Sequence, residues 1–83
     1  MRKRDDAPFS IDVRIGQRIN LRRGILGLSQ QQLAELLKVP LSEVKAVESG
    51  FSRPTASQIL KLCQALNVVP TWLFSENPPK KAH

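Results

Sequence analysis

Tyrosine is absent from this 83-residue sequence, and cysteine, histidine and tryptophan occur once each. A lone Cys63 excludes an intrachain disulfide, and with His83 as the single histidine no cluster has metal-ligand spacing. The usual participants in catalysis are missing as well. No histidine or cysteine has a plausible general base beside it, and the four glycines form no phosphate-cradling loop. Neither an enzyme nor a cofactor or metal is expected. No apolar run approaches the roughly 18 residues of a membrane span, and Met1-Arg2-Lys3-Arg4 leads into Asp5-Asp6 instead of an apolar signal core. A cytoplasmic chain without a membrane partner is expected, and an unpaired thiol suits a reducing compartment.

What the sequence does have is positive charge. Thirteen Lys and Arg against seven Asp and Glu leave a formal charge of +6, which draws polyanions toward the surface. Charge alone does not separate a nucleic-acid binder from a basic soluble protein. Hydrophobic residues make up 41% of the chain, enough for one small folded core and too few residues for a second.

Five stretches have helical spacing, separated by short breaks, and none shows strand-like alternation, so the domain is predicted to be all-α over residues 10–75. Residues 1–9 and 76–83 are charged, carry Pro8 and Pro78-Pro79, and are expected to be flexible tails. Ser10 is a candidate cap for the first helix. Ile11, Ile15, Ile19 and Leu26 fall close to one of its faces, Arg14, Arg18 and Arg22 on another, and Gly27 ends it. The second helix opens with Ser29 and Gln32 spaced as a capping box, with Leu28 placed to staple onto Leu33 and a core face running through Ala34, Leu36 and Leu37.

Lys38-Val39-Pro40 breaks the pattern, because proline disfavours helical geometry at the residue before it. A short third helix then starts near Pro40 or Leu41 and stops at Gly50, with Val44, Val47 and Glu48 facing inward. Thr55 and Gln58 form a second capping box for a fourth helix that carries Ile59, Leu62, Cys63 and Leu66 and ends near Asn67. A fifth short helix begins at Pro70 and carries Trp72, Leu73 and Phe74.

Two short helices joined by a three-residue turn are what a helix-turn-helix requires, one helix propping the other so that its outer face projects. On the third helix Leu41, Ser42, Lys45 and Ser49 share the side opposite Val44 and Val47, with Ala46 flanking them. Such a face offers a cation, hydroxyls and small apolar groups suited to base edges and thymine methyls. An ordinary solvated face has the same composition. Cys63 falls where a small apolar core residue is wanted, with no cation nearby to activate it.

Residues 15–74 resemble the phage-repressor and Cro-like helix-turn-helix family, also called the XRE family. The likeness rests on Ile15-Gly16, Arg23, Leu28-Ser29-Gln30, Leu33-Ala34, Val39, Val44, Glu48-Ser49-Gly50, Arg53-Pro54 and Leu66-Asn67-Val68. It implies a five-helix, lambda-repressor-like DNA-binding domain in which helices 2 and 3 form the helix-turn-helix. It places base reading on Leu41, Ser42, Lys45 and Ala46. Phosphate contacts fall to the side chain and amide of Gln30, the amides near Ser49 and Gly50, and the side chain of Arg53. It also implies an ion pair between Arg23 and Glu48, and a dimer contact around the last two helices, where Trp72 and Phe74 lie. This chain departs from the pattern at Lys38, where glycine is usual, at Pro40, where Ser or Thr would cap the reading helix, and at Leu41, where a polar residue is usual.

The function expected from the resemblance is a sequence-specific regulator of transcription, a repressor or autoregulator, that binds double-stranded DNA as a homodimer. Arg2, Lys3 and Arg4 are candidates for a DNA-following arm. The alternative is an antitoxin or protein-interaction module that binds DNA mainly in complex with a partner protein.

Overall fold

The computed structural model describes residues 10–75. Segments 1–9, with Arg2, Lys3 and Arg4, and 76–83 lie outside the described residues. Five helices follow one another: α1 (Ser10–Leu26), α2 (Gln30–Leu37), α3 (Leu41–Ser49), α4 (Ala56–Leu66) and α5 (Pro70–Phe74). No strand occurs among the described residues.

Local chemistry explains the boundaries. Ser29 Oγ accepts from the Gln32 amide at 3.0 Å while Gln32 Oε1 accepts from the Ser29 amide at 2.8 Å. Thr55 and Gln58 repeat the arrangement at the start of α4, at 3.1 and 2.9 Å. Each side-chain cap satisfies an amide the helix leaves orphaned and is worth about 1 kcal/mol. At the other ends the chain turns through left-handed residues, Lys38 after α2, Gly50 after α3 and Asn67 after α4.

The core is assembled from all five helices: Ile15 and Ile19, then Leu33, Ala34 and Leu37, Val44 and Val47, Ile59, Leu62, Cys63 and Leu66, and Leu73. Leu28, Val39 and Trp72 pack against its edges. Gly16 is what lets α1 and α3 approach this closely, since a Cβ there would overlap the carbonyl oxygens of Val47 and Glu48. Gly50, at φ +90°, both turns the chain and lies against Val13, which a Cβ would meet at 2.9 Å.

Three expectations about packing are corrected. Ile11 and Leu26 are exposed at the two ends of α1, where the neighbouring helices no longer reach. Arg18 is buried to 5% exposure and does not belong to an open arginine face, because α5 packs across α1 and covers it. Leu36, 56% exposed, is not core: α2 inserts Leu33, Ala34 and Leu37, and the 100° step per residue swings Leu36 off that face. In addition, Ser10 falls inside α1 instead of standing ahead of it as a cap.

Candidate nucleic-acid interface

The α2–α3 corner is set by backbone hydrogen bonds. The Lys38 amide donates to the Glu35 carbonyl at 3.2 Å and the Val39 amide to the Ala34 carbonyl at 3.1 Å, closing α2 with Lys38 at φ 60°. Val39 turns its side chain to the core, and Pro40 carries the chain into α3 in an extended conformation without a side-chain cap. The expected start at Leu41 is the observed one. With no hydroxyl at Pro40, the first turn of α3 carries Glu43 at its dipole-positive end, and Glu43 also accepts from Ser52 Oγ at 3.0 Å.

With Val44 and Val47 buried, the opposite side of α3 faces out. Ser42, Lys45 and Ser49 are exposed, and Leu41 and Ala46 are half-buried at the margins of that stripe. The structure therefore brings together the four positions expected to read bases and presents a single cation, Lys45, at their centre.

Beneath them lies an ion pair. Arg23 Nε is 2.7 Å from Glu48 Oε2, and Arg23 Nη2 donates to Oε1 at 3.1 Å, a bidentate arrangement. Asn20 Nδ2 at 3.2 Å and Gln30 Nε2 at 3.0 Å donate to the same Oε1, while Arg23 Nη1 reaches the Leu28 carbonyl at 2.9 Å. Glu48 thus links α1, α2 and α3. Burial pushes its carboxyl pKa up, but the hydrogen bonds from Arg23, Asn20 and Gln30, with the Arg23 charge, outweigh that and hold it below the usual glutamate range. In return the hydrogen bond from Glu48 raises the Arg23 pKa.

The expected phosphate contacts are placed unevenly. Gln30 opens α2, where a helix leaves its first amides without internal acceptors, but its side chain is committed to Glu48. The Gly50 amide is not an open donor, which corrects the sequence reading: it caps α3 by donating to the Val47 carbonyl at 3.1 Å. The Ser49 hydroxyl is exposed and donates to the Ala46 carbonyl at 3.0 Å. Arg53 projects from the segment between α3 and α4 with its Nε 2.9 Å from Asp12 Oδ1.

Sequence reasoning missed Asp12, Asn20 and the Gln30–Glu48 bond. Asn20 stands three residues before Arg23, on the same side of a helix, and helical spacing alone is enough to find it. Asp12 meets a residue 41 positions away and leaves no local signal. Trp72 lies partly covered against Arg18 and the core, whereas Phe74 is exposed.

Comparison with known proteins agrees with this architecture. Residues 16–77 match the family model described as a helix-turn-helix domain. An uncharacterized HTH-type transcriptional regulator of Sinorhizobium medicae is 38% identical over 71 residues, covering 86% of this chain and 51% of the relative. The HTH-type transcriptional regulator DicA of Escherichia coli is 36% identical over 67 residues, covering 81% of this chain and 50% of the relative. The chain spans about half the length of these curated relatives. Among solved structures, the restriction-modification controller protein C.AhdI of Aeromonas hydrophila superposes with a TM-score of 0.75 at 39% identity, over 80% of this chain and 100% of that one. The biofilm master regulator SinR, solved in complex with DNA, gives a TM-score of 0.69 at 31% identity, over 74% of this chain and 98% of that one. The chain belongs to the phage-repressor and Cro-like (XRE) helix-turn-helix family of transcriptional regulators.

Proposed function

We propose that this protein is a sequence-specific regulator of transcription, a repressor or autoregulator, that reads the major groove of double-stranded DNA through α3. The observation that carries this reading is the two-sidedness of α3: its inner side is pinned by Val44, Val47 and the Glu48 ion pair, leaving Leu41, Ser42, Lys45 and Ala46 along a supported outer face. Lys45 suits a guanine O6/N7 edge, and Leu41 and Ala46 suit thymine methyls. Arg53, Ser49 and the amide of Gln30 take phosphate. Similarity to SinR, which was solved on DNA, and to C.AhdI, a restriction-modification controller, supports the assignment.

The reading extends to a cytoplasmic homodimer with Phe74 and Trp72 near its two-fold contact, one α3 per half-site, and half-sites about 34 Å apart. Arg2, Lys3 and Arg4 form the arm that follows the groove. Selection of bound duplexes from a randomised library at near-physiological salt tests this. Enrichment of an inverted repeat is the expected result. Salt-sensitive binding without any enriched sequence would overturn sequence reading and favour a module that needs a partner protein to choose its site.

A further inference from the structure

Arg18 is the one buried basic residue among the described residues. Its Nη1 donates to the Trp72 carbonyl at 3.3 Å, and its guanidinium lies 5.3 Å from the centre of the indole ring. The ion pairs among the described residues are Arg23–Glu48 and Arg53–Asp12, so no carboxylate of those residues pairs with Arg18. Arg14 stands one helical turn away, and the Nε atoms of both arginines are buried without a hydrogen-bond partner among the described residues. Burial and the like charge of Arg14 both weaken the hold of Arg18 on its proton. A cation pair sequestered like this, with two unused donors, is unfavourable until an anion completes it.

The described carboxylates are all engaged elsewhere: Asp12 by Arg53, Glu35 by Gln31, Glu43 by Ser52 and Glu48 by Arg23. The Trp72 carbonyl that accepts from Arg18 also accepts from Ser75 Oγ at 3.0 Å, which brings the chain at Ser75 close beside the guanidinium. Glu76 is the next residue in sequence. Consecutive Cα atoms are about 3.8 Å apart, so its carboxylate can span the gap.

We propose that Arg14, Arg18 and Trp72 form a receptor for a carboxylate, and that Glu76 supplies it. The carboxylate comes either from the same chain, fastening the segment after α5 to α1, or from a second copy, where it joins two chains beside the exposed Phe74. The site is separate from α3 and does not depend on the DNA-reading proposal.

Urea unfolding of the full chain at neutral pH tests it as a double-mutant cycle of Glu76→Gln and Arg18→Met. The folding equilibrium constant is expected to fall about tenfold in Glu76→Gln, or ~1.4 kcal/mol, and to be insensitive to that change once Arg18 is methionine. A loss that persists on dilution to the monomer assigns the carboxylate to the same chain, and a loss that vanishes on dilution assigns it to a second copy. Carbon-detected titration of the Glu76 carboxyl in the wild-type chain gives a readout that survives poor folding of the arginine variant. It should titrate below the ordinary glutamate value of about 4.3. An ordinary value, or an unchanged folding constant in Glu76→Gln at every concentration, overturns the proposal.

Discussion

Asp12 and Arg53 tie the first turns of α1 to the segment that follows α3, with Oδ1 and Nε 2.9 Å apart. The anion is inside and the cation outside: the Asp12 side chain is 7% exposed and that of Arg53 61%. Arg53 is therefore aimed by a buried group while remaining at the surface, as a phosphate contact requires. Arg53→Ala is expected to weaken binding to all duplexes alike and to reduce the slope of log K against log salt by about one. Asp12→Asn should leave that slope unchanged, because the cation is still present. Fluorescence anisotropy over a salt series measures both, and an unchanged slope in Arg53→Ala would remove Arg53 from the phosphate contacts.

Lys45→Ala should act differently. Loss of the central cation of the α3 face is expected to cost about 1–3 kcal/mol on the preferred site and far less on random DNA, so the preference at one base pair relaxes. Parallel titrations of the selected operator and a scrambled duplex check this. Equal losses on both would reassign Lys45 to the backbone.

Glu48 sets an acid limit on the fold. Its folded-state pKa is depressed, so its contribution is complete above the unfolded value of about 4.3 and is lost as pH falls through the lower folded value. Glu48→Ala leaves Arg23, whose side chain is 15% exposed, without its counter-charge, and should destabilise the domain by about 3 kcal/mol at pH 7. The gap between wild type and variant should narrow below about pH 4. Urea midpoints across pH test this, and a gap independent of pH would contradict it.

Gly16→Ala is expected to destabilise by about 1–3 kcal/mol, because the added methyl meets backbone carbonyls of α3 that no rotamer change can move aside. Gly24→Ala, with open space around the glycine, serves as the control and should be neutral or slightly stabilising. Thermal unfolding of the pair reads the difference.

The sequence was most informative where structure is decided locally. Ser29 with Gln32, Thr55 with Gln58, the stops at Gly27 and Gly50, and the break at Pro40 all correspond to observed helix ends, since each signal acts within about four residues. The Arg23–Glu48 pair was reached through family likeness, and the structure contains it. What stayed hidden depends on which helix lies over which. The burial of Arg18 requires α5 to cross α1, and the Asp12–Arg53 pair requires the segment after α3 to return to the start of α1. Leu36 and Leu37 are alike in composition, and only the placement of α2 exposes one and buries the other.

The contact at Gly16 has a consequence for how such a chain can change its target. Because α3 rests on α1 backbone to backbone, its seat is independent of the side chains it turns outward. Positions 41, 42, 45 and 46 can then be exchanged as a cassette, each new set arriving at the groove in the same orientation, so that operator preference can diverge while the chassis beneath it is conserved.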